Sequence, residues 1–538
     1  MLGFLFLLFL ALGIFLRTYN FHDWLRFNAD QSRDAKVVSN FLESETSLPL
    51  LGPKAGGTDF RIGPAFYYFQ IVSAKIFGSS PDKMAYFDLL FSVLSIPLLF
   101  LLMKRYFNGY VSLALAALLS VSLFSVQYGR FAWNPNSSPF FVTLFLYSFL
   151  RLADPDVKKK FIWAFFSGIA LGIGIQLHTM LLFVMPAAAI IFFAYLHKNK
   201  AMLVREFAIV ILIAMALNIS QIFSEFQSGG QNLSAFFGGT AKKTANEISL
   251  GEKIGENFLC QVQSNNYIIS AIGPSGDCGK TVISGEFKRH KHFDKLLPIV
   301  LETILGLIFT IGGFVFWLSG ARKELNKEKK KFLVLLGIYF LVSIVILIPV
   351  ANEISIRFYL ALEFVPFLLL GFWADAIWKL TRGKHGKLAL FAMSAIFILF
   401  VGSNIYKTNK MFAAFSSQES TGDDNVDNDN ESFITLGETE FIADYIVSRA
   451  GQQSMAYLEG RQQFLFKYLR SINFFTTKKG IEVKEYSERE NLPENAKIIF
   501  LGDFKNIKTL DSSVREKYFS TDIQSCGRFS IATLEKKP

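Results

Sequence analysis

Apolar positions recur along this chain in stretches close to the roughly 20 residues that a helix needs to cross a bilayer. They fall at 1–16, 84–103, 110–127, 139–152, 161–177, 179–196, 203–222, 297–319, 332–350, 357–378 and 388–406. This pattern predicts an α-helical polytopic membrane domain of about eleven transmembrane helices, since a helix satisfies all its own backbone groups in lipid. The first run, Met1 to Leu16, has no basic leader and no small-residue cleavage site, so it is expected to be a retained span.

The polar intervals alternate in charge. Lys104 and Arg105, Arg151 with Lys158–Lys160, Lys198 with Lys200 and Arg205, the cluster Arg322–Lys331 and the run Lys379–Lys387 all fall on one side. Basic loops mark the cytoplasmic face, which puts the N-terminus inside. Three large pieces then lie outside: a first loop at 17–83, a loop at 223–296, and everything after 406.

Within the first loop, GPAFYYFQIVSAKIFG is too short to span and reads as a helix lying at the interface. The 223–296 loop is long, polar and Gly-containing, and is expected to fold over an outer cavity as a lid. The resulting organisation is a membrane domain at 1–406, a polar linker at 407–432 containing DDNVDNDN, and a soluble domain at 433–538. That last domain is expected to be a small extracytoplasmic α/β unit, because the helical pattern ETEFIADYIVSRA precedes strand-like AKIIFLGDF and FSIATLE. It holds no convergent acid, base and phosphate-binding set, so its role is expected to be accessory.

Composition supports the membrane reading. Of 538 residues 51% are apolar and 18% charged, more apolar surface than a soluble core hides, and the 59 Phe suit contact with acyl chains. The net charge of +11 is carried by the short loops of one face, so it speaks for topology and against a nucleic-acid partner. All three cysteines fall in outer segments, where Cys260 and Cys278 are either a disulfide or two thiols.

No Walker loop, GxSxG elbow, HExxH or CxxC pair occurs, which removes nucleotide hydrolysis and the common hydrolase and zinc chemistries. The remaining candidates are charges at the outer surface. Asp23, Arg26, Asp30, Arg33 and Asp34 follow the first span, and Lys54, Asp59 and Arg61 precede the interfacial helix. A carboxylate can take a proton from an attacking hydroxyl, and Arg or Lys can hold a phosphate leaving group. If NADQSRDA is helical, Asp30 and Asp34 are four apart on one face and either is a candidate base. YGRFAWNPN adds Arg130, Trp133 and Asn134; QLHT adds His178; SEFQSGG adds Glu225; SIRFYLALEFVP adds Arg357. Each of these also reads as a helix-end cap or membrane anchor.

The segments NADQSRDA, RIGPAFYYFQIVSAKIFGSSP, YGRFAWNPN, GIGIQLHTMLLFVMP, SEFQSGG and SIRFYLALEFVP, in that order, resemble the bacterial GT-C glycosyltransferases. The resemblance is to the protein-mannosyltransferase and aminoarabinose-transferase relatives (glycosyltransferase family 39-like), and it covers the membrane domain. It implies a GT-C-like fold in the cell (inner) membrane. It also implies transfer of a sugar from a polyprenyl-phosphate donor to a hydroxyl of a lipid, glycan or protein acceptor on the extracytoplasmic side. By the same resemblance Asp30 is the catalytic base, with Asp34 and Asp59 as second acid/base candidates. Lys54, Arg61, Arg130 and Arg357 become donor-phosphate contacts, and His178, Glu225, Trp133 and Asn134 further members of the site. No cofactor is called for, and a divalent metal is left open.

Two departures bear on acceptor and metal: Gln31 follows Asp30 where Glu is frequent, and YGRFAWNPN lacks a carboxylate found there in some relatives. The rival readings are a transporter or lipid flippase, and a non-catalytic envelope-assembly protein. A transporter predicts internal repeats and charges at mid-membrane, whereas here no clear repeat is seen and the charges gather at one face.

Overall fold

The computed structural model describes residues 1–244, 249–273, 278–279, 293–380, 386–416, 433–451, 453–460, 462–487, 496–503 and 512–538. Helix α1 (Leu2–Thr18) is followed by three helices of the first loop: α2 (Ala29–Leu42), α3 (Ala65–Phe77) and α4 (Pro81–Met84). The bundle continues with α5 (Tyr86–Met103), α6 (Gly109–Val121), α7 (Leu123–Tyr128), α8 (Ser138–Leu152), α9 (Lys160–Gly174), α10 (Thr179–Lys198), α11 (Val204–Leu217) and α12 (Ile219–Gln227). Next come α13 (Gln231–Thr244), α14 (Leu250–Ser270), α15 (Phe293–Lys323), α16 (Lys327–Leu347), α17 (Phe364–Leu380) and α18 (Gly386–Ser416).

Every apolar stretch read from the sequence coincides with helical chain. Among the described residues five helices are long and apolar enough to cross a membrane, or seven if α11 with α12, and the 3₁₀ turn Ile356–Leu362 with α17, each form one bent span. Helices α1, α6 and α9 are apolar but shorter. The chain is a multi-span membrane protein. The basic loops also meet at one end of the bundle: Arg105 and Arg151 share Asp154, and Lys331 Nζ donates to the Ala153 carbonyl at 2.7 Å.

The segment expected to be a polar lid is different. Its described part is largely helix, and α14 packs against α15, α17 and α18 rather than standing over the bundle. Its buried polar residues explain how a hydrophilic helix can go inside. Gln261 Nε2 donates to Asn265 Oδ1 at 2.6 Å, Asn265 Nδ2 to Thr310 Oγ1 at 3.2 Å, and Asn257 Nδ2 to the Ile344 carbonyl at 3.0 Å. Buried polar groups that find partners do not need water. Cys260 and Cys278 are disulfide-bonded, which resolves the two alternatives left open by the sequence.

The C-terminal unit is the α/β domain expected, with the linker positions 417–432 outside the described residues and α18 continuing past 406 to Ser416. Five strands, β1 (Met455–Gly460), β2 (Glu482–Glu485), β3 (Ile498–Asp503), β4 (Tyr518–Cys526) and β5 (Phe529–Lys536), form one sheet in the order β2-β1-β3-β5-β4. The first three are mutually parallel in pairs, while β5 runs antiparallel to both β3 and β4. Helices α19 (Leu436–Ala450) and α20 (Gln462–Thr476) pack together and against β1, burying Ile442, Ile446, Tyr468 and Ile472 with Leu458 and Ile499.

This domain is joined to the first loop by backbone pairing. The Phe27 amide donates to the Ile434 carbonyl at 2.9 Å, Leu436 to Leu25 at 2.8 Å, and Gly437 to Asp23 at 3.1 Å. Asn28 Oδ1 accepts from the Ile434 amide at 3.0 Å, and Phe27 contacts Phe474 and Phe475. The tail thus buttresses the segment leading into α2.

Candidate active site

Helix α2 begins at Ala29 because Asn28 stops the preceding extended segment, and the Gln31 side chain accepts from the Asn28 amide at 3.1 Å. That hydrogen bond satisfies one of the orphan donors of a helix N-terminus. It also gives a local use for the Gln that departs from the family pattern.

Three ionisable groups of the next turn, Asp30, Arg33 and Asp34, meet a fourth, Tyr67, from α3. Arg33 donates through Nε to Asp34 Oδ1 at 2.9 Å, through Nη2 to Asp34 Oδ2 at 3.0 Å, and through Nη1 to Asp30 Oδ1 at 2.9 Å. The Tyr67 hydroxyl on α3 donates to Asp34 Oδ1 at 2.9 Å. The two carboxylates differ in environment. The Asp30 side chain is 52% exposed and that of Asp34 0%. Burial pushes the Asp34 carboxyl up to about 6, with Arg33 and Tyr67 opposing the rise. Burial and the neighbouring Asp34 charge raise the Tyr67 phenol well above its usual range, so it stays a donor.

Arg61 follows a short turn in which Lys54 and Arg61 bridge across and Lys54 Nζ meets Asp59 at 2.7 Å, both side chains of that pair lying exposed. The Arg61 charge is close enough to bear on the Tyr67 phenol. Its amide and carbonyl are both taken by Asn232 of α13, at 2.8 and 3.0 Å. Two residues further on, a side chain at Gly63 would collide with Gln176, whose Oε1 accepts from the Ala65 amide at 3.0 Å and whose Nε2 donates to Gly172 and Leu217 carbonyls. Gln176 therefore ties the Arg61 turn to the far end of α9.

Immediately after it comes a second group. His178 caps α10 by accepting from the Met180 amide, and its ring packs edge-on against Phe358 at 5.1 Å. Asn134 Nδ2 donates to the Leu177 carbonyl at 2.6 Å. The exposed Arg357 guanidinium lies over Trp133 at 5.6 Å and Phe358 at 5.9 Å. Trp133, Asn134, His178 and Arg357, dispersed over more than two hundred positions, are thus one cluster.

Two candidates are engaged elsewhere. Arg130 is buried, donates to the Leu16 carbonyl at 3.0 Å and the Tyr19 carbonyl at 2.7 Å, and lies over Phe412 at 5.0 Å. It satisfies the C-terminal carbonyls of α1 in the manner of a helix-end clamp. Glu225 Oε1 accepts from the Leu233 amide at 2.9 Å and closes the α12–α13 turn. The residues that the sequence reading passed over are Tyr67 and Gln176, both inside the quoted motifs. A polar side chain among apolar neighbours at a helix end was the available signal. Among the described residues no three His, Cys, Asp or Glu converge to hold a metal ion.

The bundle defines a multi-span membrane protein with the fold of the GT-C glycosyltransferases. A family model described as dolichyl-phosphate-mannose-protein mannosyltransferase matches residues 62–222. The chain is similar in fold to crystal structures of ArnT from Cupriavidus metallidurans. The apo form aligns with a TM-score of 0.52 at 10% identity, covering 98% of this chain and 97% of that one. The form bound to undecaprenyl phosphate aligns with 0.50 at 10% identity over the same shares. No curated protein matches by sequence. The resemblance read from the sequence is borne out in the fold, and over residues 62–222 in the matching family model.

Proposed function

We propose that this chain is a membrane glycosyltransferase that moves a sugar from a polyprenyl-phosphate donor to an acceptor hydroxyl, working at the extracytoplasmic face of the inner membrane. The observation that carries the reading is the exposed Asp30 carboxylate, held by Arg33, which is itself locked by the buried Asp34. A base must reach its substrate, and a buffer of charge behind it fixes its position. Support also comes from the family model and from the fold shared with an ArnT crystallised with undecaprenyl phosphate.

In the proposed reaction Asp30 takes the proton of the acceptor hydroxyl. The acceptor oxygen bonds to the anomeric carbon as the bond from that carbon to the phosphate oxygen breaks, inverting the centre. The electron pair leaves with polyprenyl phosphate, whose negative charge meets the exposed guanidiniums of Arg61 and Arg357. Lys54 is a further cation on the same turn as Arg61, and Trp133 and Asn134 shape the wall beside Arg357.

The test is sugar transfer in proteoliposomes alongside mass spectrometry of lipid that copurifies with the protein. A polyprenyl phosphosugar and loss of transfer in Asp30→Asn are expected. Arg61→Ala and Arg357→Ala are expected to weaken donor binding instead. Reporter fusions at Lys331 and Pro538 should read opposite compartments. Near-normal transfer by all three variants would leave these charges as membrane anchors and overturn the reading.

A further inference from the structure

Helix α9 meets the Arg61 turn near its last residues and begins, on the order of 20 Å away, at a second site. Around Lys160 lies a cleft of about 610 Å³ whose lining includes Lys158, Lys160, Lys200 and Arg205 together with Phe161 and Leu203. The cleft exists because α9 and α11 start side by side. They run close together where glycines face α11: a Cβ on Gly168 would lie 2.9 Å from the Val210 carbonyl oxygen, and one on Gly172 2.9 Å from Ala214 Cα. Both helices therefore present their N-terminal ends, each with a partial positive charge, to the same space.

The polar groups leave a positive excess. Lys160 Nζ donates to the Ala201 carbonyl at 2.7 Å and fixes one wall. Glu206 is the one carboxylate lining the cleft; it accepts from the Leu203 amide at 2.8 Å and pairs with Arg205 at 3.2 Å. No side chain caps the start of α9. Beside the cations the surface turns apolar, with Phe161 and Leu203 exposed at the cleft and Val204, Phe165 and Leu212 exposed on the same two helices. A single-sign polar pocket opening onto an apolar track is complementary to an amphiphile with an anionic head.

We propose that this cleft binds the phosphate headgroup of an anionic membrane phospholipid, with its acyl chain lying along α9 and α11. The site is separate from the first-loop chemistry and does not depend on it. The probe is phosphatidylglycerol, titrated onto the purified full-length protein with phosphatidylcholine as the uncharged comparison, and bound lipid is counted by native mass spectrometry.

Wild type should retain one phosphatidylglycerol that phosphatidylcholine does not displace. The triple variant Lys158→Gln, Lys200→Gln, Arg205→Gln should bind it roughly a hundredfold more weakly, at about fivefold per cation near a membrane surface. A control triple on another basic loop, Lys323→Gln, Lys327→Gln, Lys330→Gln, should keep it. Equal loss in both triples would mean diffuse surface attraction and overturn the proposal. Displacement of the lipid by millimolar inorganic phosphate would assign the cleft to a free anion and likewise overturn it. If the triple variant does not fold, Arg205→Gln alone serves, since that side chain is 80% exposed; unchanged affinity there would also sink the idea.

Discussion

Asp30 and Asp34 are one helical turn apart, and exchanging each for Asn separates the proposed base from its proposed support. Asp34 is fully buried and accepts three hydrogen bonds, two from Arg33 and one from Tyr67. Asn keeps a single carbonyl oxygen and turns an amide donor toward a guanidinium, so at least one charge-assisted bond is lost. Such bonds contribute about 1.5–3 kcal/mol each, and the upper part of that range applies to the buried side of the pair. Arg33 is partly exposed and water recovers some of the loss, so the cost of the exchange falls below that range, and it is offset further wherever the wild-type carboxylate is ionised against its burial.

The pH dependence gives a second readout. The folded Asp34 carboxyl titrates at about 6, above the ordinary 3.8. Its contribution to stability is therefore fully present below the ordinary value and is lost as pH rises through about 6. The size is on the order of 3 kcal/mol, and Asp34→Asn should abolish this slope. In transfer assays Asp34→Asn should lower turnover by about tenfold to a hundredfold through a loosened Arg33, while Asp30→Asn should lower it by about a hundredfold to ten-thousandfold. The assays are thermal unfolding across pH and single-turnover transfer with both variants at equal folded concentration. The reasoning is refuted if folded Asp34→Asn is the inactive one and Asp30→Asn turns over normally.

Three further outcomes are expected. His22 lies between Asp82 at 3.3 Å and Glu440 at 3.1 Å; burial would lower its pKa, but the two carboxylates raise it overall, so its contribution to docking the tail is present below the ordinary 6.5 and fades as pH rises through the raised value. Unfolding midpoints of His22→Gln should accordingly lack the slope that wild type shows as pH rises from 6.5 through the raised value. Asn28→Ala removes the side chain that accepts from Ile434 and should cost about 1 kcal/mol, seen as faster amide exchange at both 29–33 and 434–437. Replacing Cys260 and Cys278 by Ser opens a link spanning 18 residues and should destabilise the protein by about 3 kcal/mol; full thiol labelling of the native protein without reductant would contradict the bond.

Much of the membrane domain was legible because a bilayer imposes a long apolar run, and each such run is helical here. The α14 segment was not. A hydropathy window registers that CQVQSNNY is polar, but not that Gln261, Asn265 and Asn257 find partners in one another and in helices up to 87 residues away. The site was legible in part for the same reason. Asp30 and Asp34 look equivalent in NADQSRDA, and only the arrival of Tyr67 from α3 makes one of them a buried acceptor. Arg130 stood in a well-marked motif, yet its acceptors belong to the end of α1, more than a hundred residues earlier. The accessory role expected of the tail followed from its lack of reactive groups, which says nothing about what its backbone grips.

The pairing of Phe27 with Ile434 sets an order of events. The ribosome delivers the helix bearing Asp30 first and the segment that pairs ahead of it some four hundred residues later, after the helices of the bundle. Until that segment emerges, the turn ahead of Asp30 has no docked register, and so long a loop closes late. A nascent chain stalled anywhere in the bundle would carry α2 without the backbone contacts that fix the segment ahead of it. Emergence of residues 434–437 thereby becomes the step that sets the register of the first loop.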